Sequence, residues 1–250
     1  MTVHFIGAGP GAADLLTLRA VRLLAESPVC VYAGTYLDAE VLGHCAPGTR
    51  LVDSQSLDLD AIVAVLAEAH AAGSDVARLC SGDPSLYSAL AEQTRRLDRA
   101  GVPWDVTPGV PAYAAAAALL GRELTVPEVA QTVILTRTYA ESTKMPDSEA
   151  LSRLAETRAT LVLHLAIRHT RRICEELTTA YGADCPVAVV SRATQADELV
   201  LSGTLCDIAD QVEAAGLRQA AVILVGWALA TSEFAESHLY GKRVRDLGGS

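Results

Sequence analysis

The sequence contains few aromatic residues and no excess of positive charge. Phe, Trp and Tyr make up 4 % of its 250 residues, and 30 acidic side chains outnumber 20 lysines and arginines. The net charge of −10 argues against general binding to nucleic acid or to anionic membranes, because both require a basic surface. A local basic pocket remains compatible with this composition.

Cysteine and histidine are present without a recognisable spacing. None of the six cysteines forms a C-x-x-C pair, and the six histidines show no metal-ligand spacing. We therefore expect reduced cysteines and no bound metal. No apolar run approaches the roughly 20 residues that span a bilayer, and the segment MTVHFIG enters a strand directly, unlike a secretory leader. These absences predict a cytoplasmic protein with no membrane partner.

Several catalytic signatures are also missing. The sequence has no G-K-[ST] phosphate loop and no G-x-S-x-G nucleophile turn. Paired carboxylates suited to acid–base chemistry are absent from the first half. This pattern favours a group transfer whose donor is already activated, and the catalytic residue stays unknown.

The order of apolar segments predicts two α/β domains, residues 1–121 and 122–250, with a cleft between them. In the first domain, strands alternate with helices, which is typical of a mostly parallel sheet with helices on both faces. In the second domain, strands at 187–192 and 198–203 follow each other without a helix, which indicates a mixed sheet.

Three loops rich in glycine and proline follow strands of the first domain: Gly7–Gly11, Ser81–Leu86 and Thr107–Ala112. Ligands of parallel sheets bind at the carboxyl ends of the strands, and glycine lets a ligand approach the backbone closely. Asp83 is the only acidic residue in these loops. It either caps a helix that begins at Pro84 or binds an amine or hydroxyl of a ligand.

The first loop does not fit a dinucleotide site. Its glycines are spaced G-x-G-x-G, whereas the dinucleotide fingerprint is G-x-G-x-x-G. The second strand ends in Ala33-Gly34-Thr35, without an acidic residue to bind a ribose hydroxyl. A nicotinamide-dependent dehydrogenase is therefore disfavoured.

Basic residues near strand ends and helix starts mark the second domain. Arg137 ends an apolar strand, where an arginine can bind a carboxylate through two parallel hydrogen bonds. This predicts a substrate with several carboxylates, with Lys144 and Arg168 as further candidate contacts. For Arg171 and Arg172, ordinary ion pairs on solvated faces are an equal alternative.

Six segments, in order, resemble the tetrapyrrole methylase family: GAGPGAADLLTL, SGDPSLY, TPGVPAYAAAAALLG, TLVLHLA, PVAVVSRAT and AAVILVG. The resemblance covers residues 3–228, and the family includes the corrin-ring methyltransferases of cobalamin synthesis. The segments YAGTYL, GRELTVPEVAQTVILTRT and FAESHLY resemble one branch of these enzymes. The uncharged end of the second strand at Ala33-Gly34 suits an already methylated, ring-contracted substrate, because family members that act on the unmodified macrocycle carry an aspartate there.

The resemblance implies a homodimer that binds S-adenosylmethionine between its two domains and aligns the methyl group with an attacking ring carbon. By position it assigns cofactor contacts to Pro10, Ser81, Gly82, Asp83, Leu86, Pro111, Ala112, Leu165 and Ala193. It places Gly9 in the trough where the tetrapyrrole meets the methyl donor. Pro111 departs from the family pattern, which usually has a hydroxyl there. Another methylase of the same family and a non-catalytic nucleotide-sensing protein are the alternatives.

Overall fold

The computed structural model describes residues 1–34, 37, 39–138 and 145–230. This part of the chain forms ten strands and eight α-helices, grouped in two compact units. The first unit holds Met1–Ala116 and Arg192–Leu199, and the second holds Ala117–Ser191 and the described residues from Val200 onward. No helix within the described ranges is long and apolar enough to cross a bilayer.

The first unit contains a five-stranded sheet whose paired strands are all parallel. Its strands are β1 (Val3–Gly7), β2 (Val29–Tyr32), β3 (Arg50–Asp53), β4 (Val76–Cys80) and β5 (Trp104–Thr107), in the order β3-β2-β4-β1-β5. Its helices are α1 (Leu18–Glu26), α2 (Ala39–Leu42), α3 (Leu59–Ala71) and α4 (Leu90–Arg99). The helix α5 (Ala112–Leu120) begins in the first unit and ends in the second. Because the strands are parallel, their carboxyl ends lie at one edge of the sheet.

Successive side chains of β1 enter two different apolar cores. Phe5 packs in a cluster with Leu66 of α3 and Leu97 of α4. Ile6 packs in a second cluster with Leu24 of α1. These five side chains are fully buried, and burying each one stabilises the fold by about 1.5–3 kcal/mol. The two cores hold the sheet rigidly, so the loops at its carboxyl edge start from fixed points.

Two elements of the first unit were not predicted, and one predicted helix begins later. The short helix α2 and the strand β3 have no clear sequence pattern. β3 lies at the edge of the sheet and leaves Leu51 47 % exposed, as is common for short edge strands. The helix that we expect to begin at Pro84 begins at Leu90, because Tyr87 and Ala89 adopt the left-handed region, with φ of 55° and 56°.

The second unit contains a mixed sheet, which confirms the prediction from the sequence. Its strands are β6 (Val133–Arg137), β7 (Thr160–His164), β8 (Pro186–Ser191), β9 (Leu199–Thr204) and β10 (Ala221–Val225), in the order β6-β7-β10-β8-β9. β6 and β7 are parallel, whereas β10 runs antiparallel to both of its neighbours. The helices α6 (Leu151–Ala155), α7 (Thr170–Tyr181) and α8 (Ile208–Ala214) contribute Leu177 and Ile208 to a core that includes Leu163.

Candidate functional site

The loops after β1 and β4 are joined backbone to backbone. The N–H of Gly9 donates to the carbonyl of Gly82 at 3.1 Å, and the N–H of Gly82 donates to the carbonyl of Gly9 at 2.8 Å. Both residues lie in the left-handed region, with φ of 74° and 65°, which glycine adopts at little cost. The two loops therefore form one continuous surface at the carboxyl edge of the first sheet.

The loop after β5 packs directly against this surface. A Cβ atom added to Gly109 would lie 2.3 Å from the carbonyl oxygen of Gly82, and one added to Gly7 would lie 2.4 Å from the backbone nitrogen of Gly109. From the sequence we attribute these glycines to the approach of a ligand. At Gly7 and Gly109, however, the group that approaches is another loop of the same unit.

Asp83 connects the loop after β4 to the loop after β5. Its Oδ2 accepts the N–H of Gly109 at 2.8 Å, and its Oδ1 accepts the N–H of Ser85 at 2.8 Å as well as the Ser85 hydroxyl. Partial burial opposes ionisation, but these hydrogen bonds outweigh it and lower the pKa of Asp83 below its ordinary value. The alternative that Asp83 caps a helix beginning at Pro84 is wrong, because α4 begins at Leu90.

A distant segment, Arg192–Leu199, completes the first unit. The Thr194 hydroxyl accepts the N–H of Ala12 at 3.0 Å, and the Gln195 amide donates to the carbonyl of Pro10 at 3.4 Å. Of this segment, the sequence pointed only to Ala193. No local pattern could have revealed Thr194, because its partner lies 182 residues away in the chain.

The structure brings eight of the nine predicted cofactor residues into the first unit. They are Pro10, Ser81, Gly82, Asp83, Leu86, Pro111, Ala112 and Ala193. A Cβ on Gly82 would lie 3.6 Å from both Pro111 Cα and Ala112 N, so these two loops are in contact. The ninth, Leu165, belongs to the second unit, where it follows β7 with φ of 54° and is 66 % exposed.

The expectation of an uncharged wall at the end of β2 is wrong. β3, which was not predicted, ends in Asp53, whose Oδ1 accepts the N–H of Gly34 at 3.2 Å. A Cβ on Gly34 would lie 3.0 Å from Asp53 Oδ2. The neighbouring strand thus supplies the carboxylate that Ala33-Gly34 lacks. This carboxylate lies on β3 and accepts the N–H groups of Gly34 and Gln55. A dinucleotide site therefore stays disfavoured by the glycine spacing and by the missing acid on β2.

In the second unit, Arg137 lines a pocket of about 210 Å³ at the end of β6. Arg172 and His169 line the same pocket, together with the acidic residues Asp147, Glu149 and Glu176. Arg137 is paired in register with His164 of β7, and burial lowers the pKa of this histidine. The pocket therefore offers two arginines, although acidic side chains surround them.

Of the other predicted substrate residues that the structure describes, Gly9 and Arg168 do not line this pocket. Arg168 donates from Nε to the carbonyl of Arg218 at 3.0 Å and lines a separate pocket of about 240 Å³. Arg171 forms ion pairs with Asp210 and Glu213 at 2.6 Å and 2.7 Å. This agrees with the alternative that Arg171 forms ordinary ion pairs on a solvated face. Lys144 lies outside the described residues.

Comparisons with known proteins identify the class. Residues 2–209 match the family Tetrapyrrole (Corrin/Porphyrin) Methylases. The precorrin-4 C(11)-methyltransferase of Rhodococcus erythropolis is 58 % identical over 240 residues, which cover 96 % of each chain. The X-ray structure of a cobalt precorrin-4 methyltransferase has a TM-score of 0.89 at 35 % identity, covering 92 % of this chain and 96 % of that one. The uroporphyrin-III C-methyltransferase of Thermus thermophilus, complexed with S-adenyl homocysteine, has a TM-score of 0.76 at 30 % identity and covers 92 % and 99 %.

The chain belongs to the tetrapyrrole methylase family, as the six sequence segments predict. The predictions of a methyltransferase and of an α/β fold with a parallel and a mixed sheet are confirmed. The branch indicated by YAGTYL and GRELTVPEVAQTVILTRT is that of the precorrin-4 C11-methyltransferases. Relatives of that name are 53 % to 58 % identical to this chain, which agrees with the prediction.

Proposed function

We propose that this protein transfers the methyl group of S-adenosylmethionine to C11 of precorrin-4 in cobalamin biosynthesis. The observation that carries the proposal is the 58 % identity to the Rhodococcus erythropolis enzyme over 96 % of both chains. The cofactor is supported by the Thermus thermophilus relative, whose structure contains S-adenyl homocysteine. We also expect a homodimer, as the family resemblance implies, and a cytoplasmic location, as the sequence composition predicts.

The joined loops of the first unit are the proposed cofactor site. Gly9 and Gly82 use their N–H and carbonyl groups on each other, so contacts to the cofactor come from neighbouring backbone groups and from exposed Ser81. Asp83 carries a negative charge at neutral pH, as an aspartate with its ordinary pKa does, and its hydrogen bonds lower that pKa further. Its negative charge stabilises a cationic ligand nearby, while its hydrogen bonds to Ser85 and Gly109 hold the two loops in place.

The proposed substrate contacts lie in both units. Gly9 belongs to the first unit, and Arg137 and Arg168 belong to the second. Lys144 lies outside the described residues and stays a candidate on the sequence alone. Arg137 is supported by its pocket, which Arg172 also lines. Two guanidinium groups there can bind carboxylate groups of a tetrapyrrole through paired hydrogen bonds.

The protein contributes alignment to the reaction. When bound, S-adenosylmethionine supplies an activated methyl group, so the chain needs no strong acid or base for methyl transfer itself. The interlocked loops at Gly9, Gly82 and Gly109 hold their backbone groups in fixed positions. Alignment of this kind can lower a barrier by about 7–11 kcal/mol in favourable cases. We assign no residue as a catalytic base.

The experiment is methylation of defined substrates by the purified protein. Labelled S-adenosylmethionine is offered with precorrin-4, cobalt-precorrin-4 or uroporphyrinogen III, and mass spectrometry locates the new methyl group. We expect one methyl at C11 of precorrin-4 and essentially none on uroporphyrinogen III. Efficient transfer to uroporphyrinogen III would overturn the assignment to the precorrin-4 C11-methyltransferases. A higher kcat/KM for cobalt-precorrin-4 than for precorrin-4 would make the cobalt-containing compound the preferred substrate. Cofactor binding without transfer to any substrate would favour the sensor alternative.

A further inference from the structure

The segment Arg192–Leu199 follows β8 and makes specific contacts with the loop after β1. Thr194 Oγ1 accepts the N–H of Ala12 at 3.0 Å, and Gln195 Nε2 donates to the carbonyl of Pro10 at 3.4 Å. By its contacts the segment belongs to the first unit, although β8 belongs to the second sheet. These two hydrogen bonds hold both sides of the buried Pro10–Gly11 turn.

The segment is braced by its own hydrogen bonds. The N–H of Gln195 donates to the carbonyl of Arg192 at 3.0 Å, and the N–H of Thr194 donates to Glu198 Oε2 at 2.5 Å. Arg192 Nε lies 3.3 Å from Asp197 Oδ2. Thr194 has φ of 68°, a conformation that a β-branched residue adopts only when its surroundings enforce it. The backbone of Thr194 is thus held in place, and its hydroxyl accepts the N–H of Ala12.

Close packing at Gly11 gives independent support. A Cβ added to Gly11 would lie 2.4 Å from Gln195 Cγ and 3.0 Å from the carbonyl oxygen of Ala193. Gly11 is not among the residues with positive φ, so its backbone conformation does not require glycine. The third glycine of the G-x-G-x-G loop is therefore required by contact with the distant segment.

We infer that Thr194 and Gln195 are positioning residues for methyl transfer, which hold the loop that carries Gly9 and Pro10. The inference rests on the proposed function and adds two residues to its site. Small displacements of aligned groups are costly, since about 1 Å can reduce a rate by about 100-fold. Loss of the Thr194 hydroxyl also leaves the half-buried N–H of Ala12 without its acceptor.

A matched pair of substitutions tests the hydroxyl. Thr194→Val keeps the shape and the β-branch but removes the acceptor, whereas Thr194→Ser keeps the acceptor. Thr194→Val should lower kcat with precorrin-4 about tenfold and raise the Kd of S-adenosylhomocysteine about fivefold. Thr194→Ser should stay within about twofold of wild type. The control is Thr178→Val, because the Thr178 hydroxyl makes a 2.7 Å hydrogen bond to the Cys174 carbonyl within α7. It should leave kcat and the Kd of S-adenosylhomocysteine unchanged, because this hydroxyl bonds only within its own helix.

A double-mutant cycle tests the packing. Gly11→Ala should lower kcat/KM up to about 100-fold, and Gln195→Ala alone about threefold. Because Gln195→Ala removes the Cγ atom that the new methyl group would meet, the double variant should be more active than Gly11→Ala alone. A double variant as impaired as the product of the single effects would overturn the inference. The inference would also be overturned if Thr194→Val and Thr178→Val had the same kcat and the same Kd of S-adenosylhomocysteine.

The same experiment separates this inference from the proposed function. If wild-type protein does not methylate precorrin-4, the proposed function is overturned. The Kd of S-adenosylhomocysteine, measured by calorimetry for each variant, still decides whether Thr194 and Gln195 position the loop. A Kd for Thr194→Val raised relative to Thr194→Ser supports the inference, and equal values for the two variants overturn it.

Discussion

The two units build their candidate sites in different ways. In the first unit, Gly7, Gly82 and Gly109 bring loop backbones into direct contact, and Asp83 is the charged side chain that connects these loops. In the second unit, the pocket at the end of β6 is lined by charged side chains, including Arg137 and Arg172. One site depends on shape and backbone hydrogen bonds, and the other depends on charge.

This difference predicts which substitutions each unit tolerates. A single added methyl group should disrupt the first site, since backbone atoms cannot move aside as side chains do. The second site should tolerate changes of volume but respond to a loss of charge. Cofactor affinity should therefore report on the first unit, and the KM for the tetrapyrrole should report on the second.

Gly109→Ala is expected to have the largest effect. Its new Cβ would lie 2.3 Å from the Gly82 carbonyl oxygen and 2.8 Å from both Gly7 C and Gly7 Cα. All of these are backbone atoms, so the loops must separate. We expect a loss of about 3 kcal/mol in the free energy of unfolding and no detectable binding of S-adenosylhomocysteine. Urea unfolding and calorimetry measure the two quantities.

The control for Gly109→Ala is Gly48→Ala. A Cβ on Gly48 meets nothing within 4 Å, but its φ of 88° is unfavourable for alanine. This variant should lose about 1–2 kcal/mol of stability and keep full cofactor affinity. If Gly109→Ala binds S-adenosylhomocysteine as tightly as Gly48→Ala, the backbone contacts do not define the cofactor site.

Arg137→Ala tests the charged pocket of the second unit. Removing a guanidinium that binds a carboxylate should raise the KM for precorrin-4 about 10- to 100-fold, with the Kd of S-adenosylhomocysteine unchanged. Arg137→Lys should restore only part of the loss, because an ammonium cannot form the paired hydrogen bonds. Steady-state kinetics measure the KM for precorrin-4. Arg95→Ala is the control, because Arg95 is exposed and its loss removes the same charge. An unchanged KM for Arg137→Ala would remove this residue from the substrate site.

Most of the sheet architecture could be predicted from the sequence. Strands such as β4 and β7 are short apolar runs, and turn residues follow or precede them. Buried strands of this kind carry a strong local pattern. The Gly-Pro loops could be located for the same reason, since each follows a predicted strand. The mixed sheet followed from the absence of a helix between β8 and β9.

The missed features depend on contacts that local sequence does not encode. β3 is an exposed edge strand, so it lacks an apolar pattern, and its Asp53 was consequently not placed beside Gly34. The segment from Pro84 to Ala89 contains no glycine, yet Tyr87 and Ala89 adopt positive φ and delay α4. Thr194 contacts Ala12 across most of the chain. Each of these features is set by tertiary packing.

Asp83→Ala should have a smaller effect than either substitution above. It removes the acceptor of the Gly109 and Ser85 N–H groups and should cost about 1–3 kcal/mol of stability. Because the two loops are then no longer joined, the Kd of S-adenosylhomocysteine should rise about tenfold. Asp83→Asn keeps one oxygen that can accept the Gly109 N–H, so its Kd should lie between those of wild type and Asp83→Ala. A stability loss with unchanged Kd in both variants would leave Asp83 as a structural residue only.

The smallest expected effect is the pH dependence that Asp83 gives to stability. The pKa of Asp83 is lowered in the folded protein by the hydrogen bonds from Ser85 and Gly109, which outweigh its partial burial. Its contribution to stability is therefore fully present above the unfolded value of about 3.9 and is lost as the pH falls through the folded pKa. The difference in unfolding free energy between wild type and Asp83→Asn should be constant from about pH 5 to pH 8 and shrink below about pH 4. Urea unfolding of both proteins across this range measures the difference and cancels the titration of all other groups. A difference that widens toward acid pH would mean that the Asp83 carboxylate is not stabilised by these hydrogen bonds, and the loops of the first unit would then be held by their glycine contacts alone.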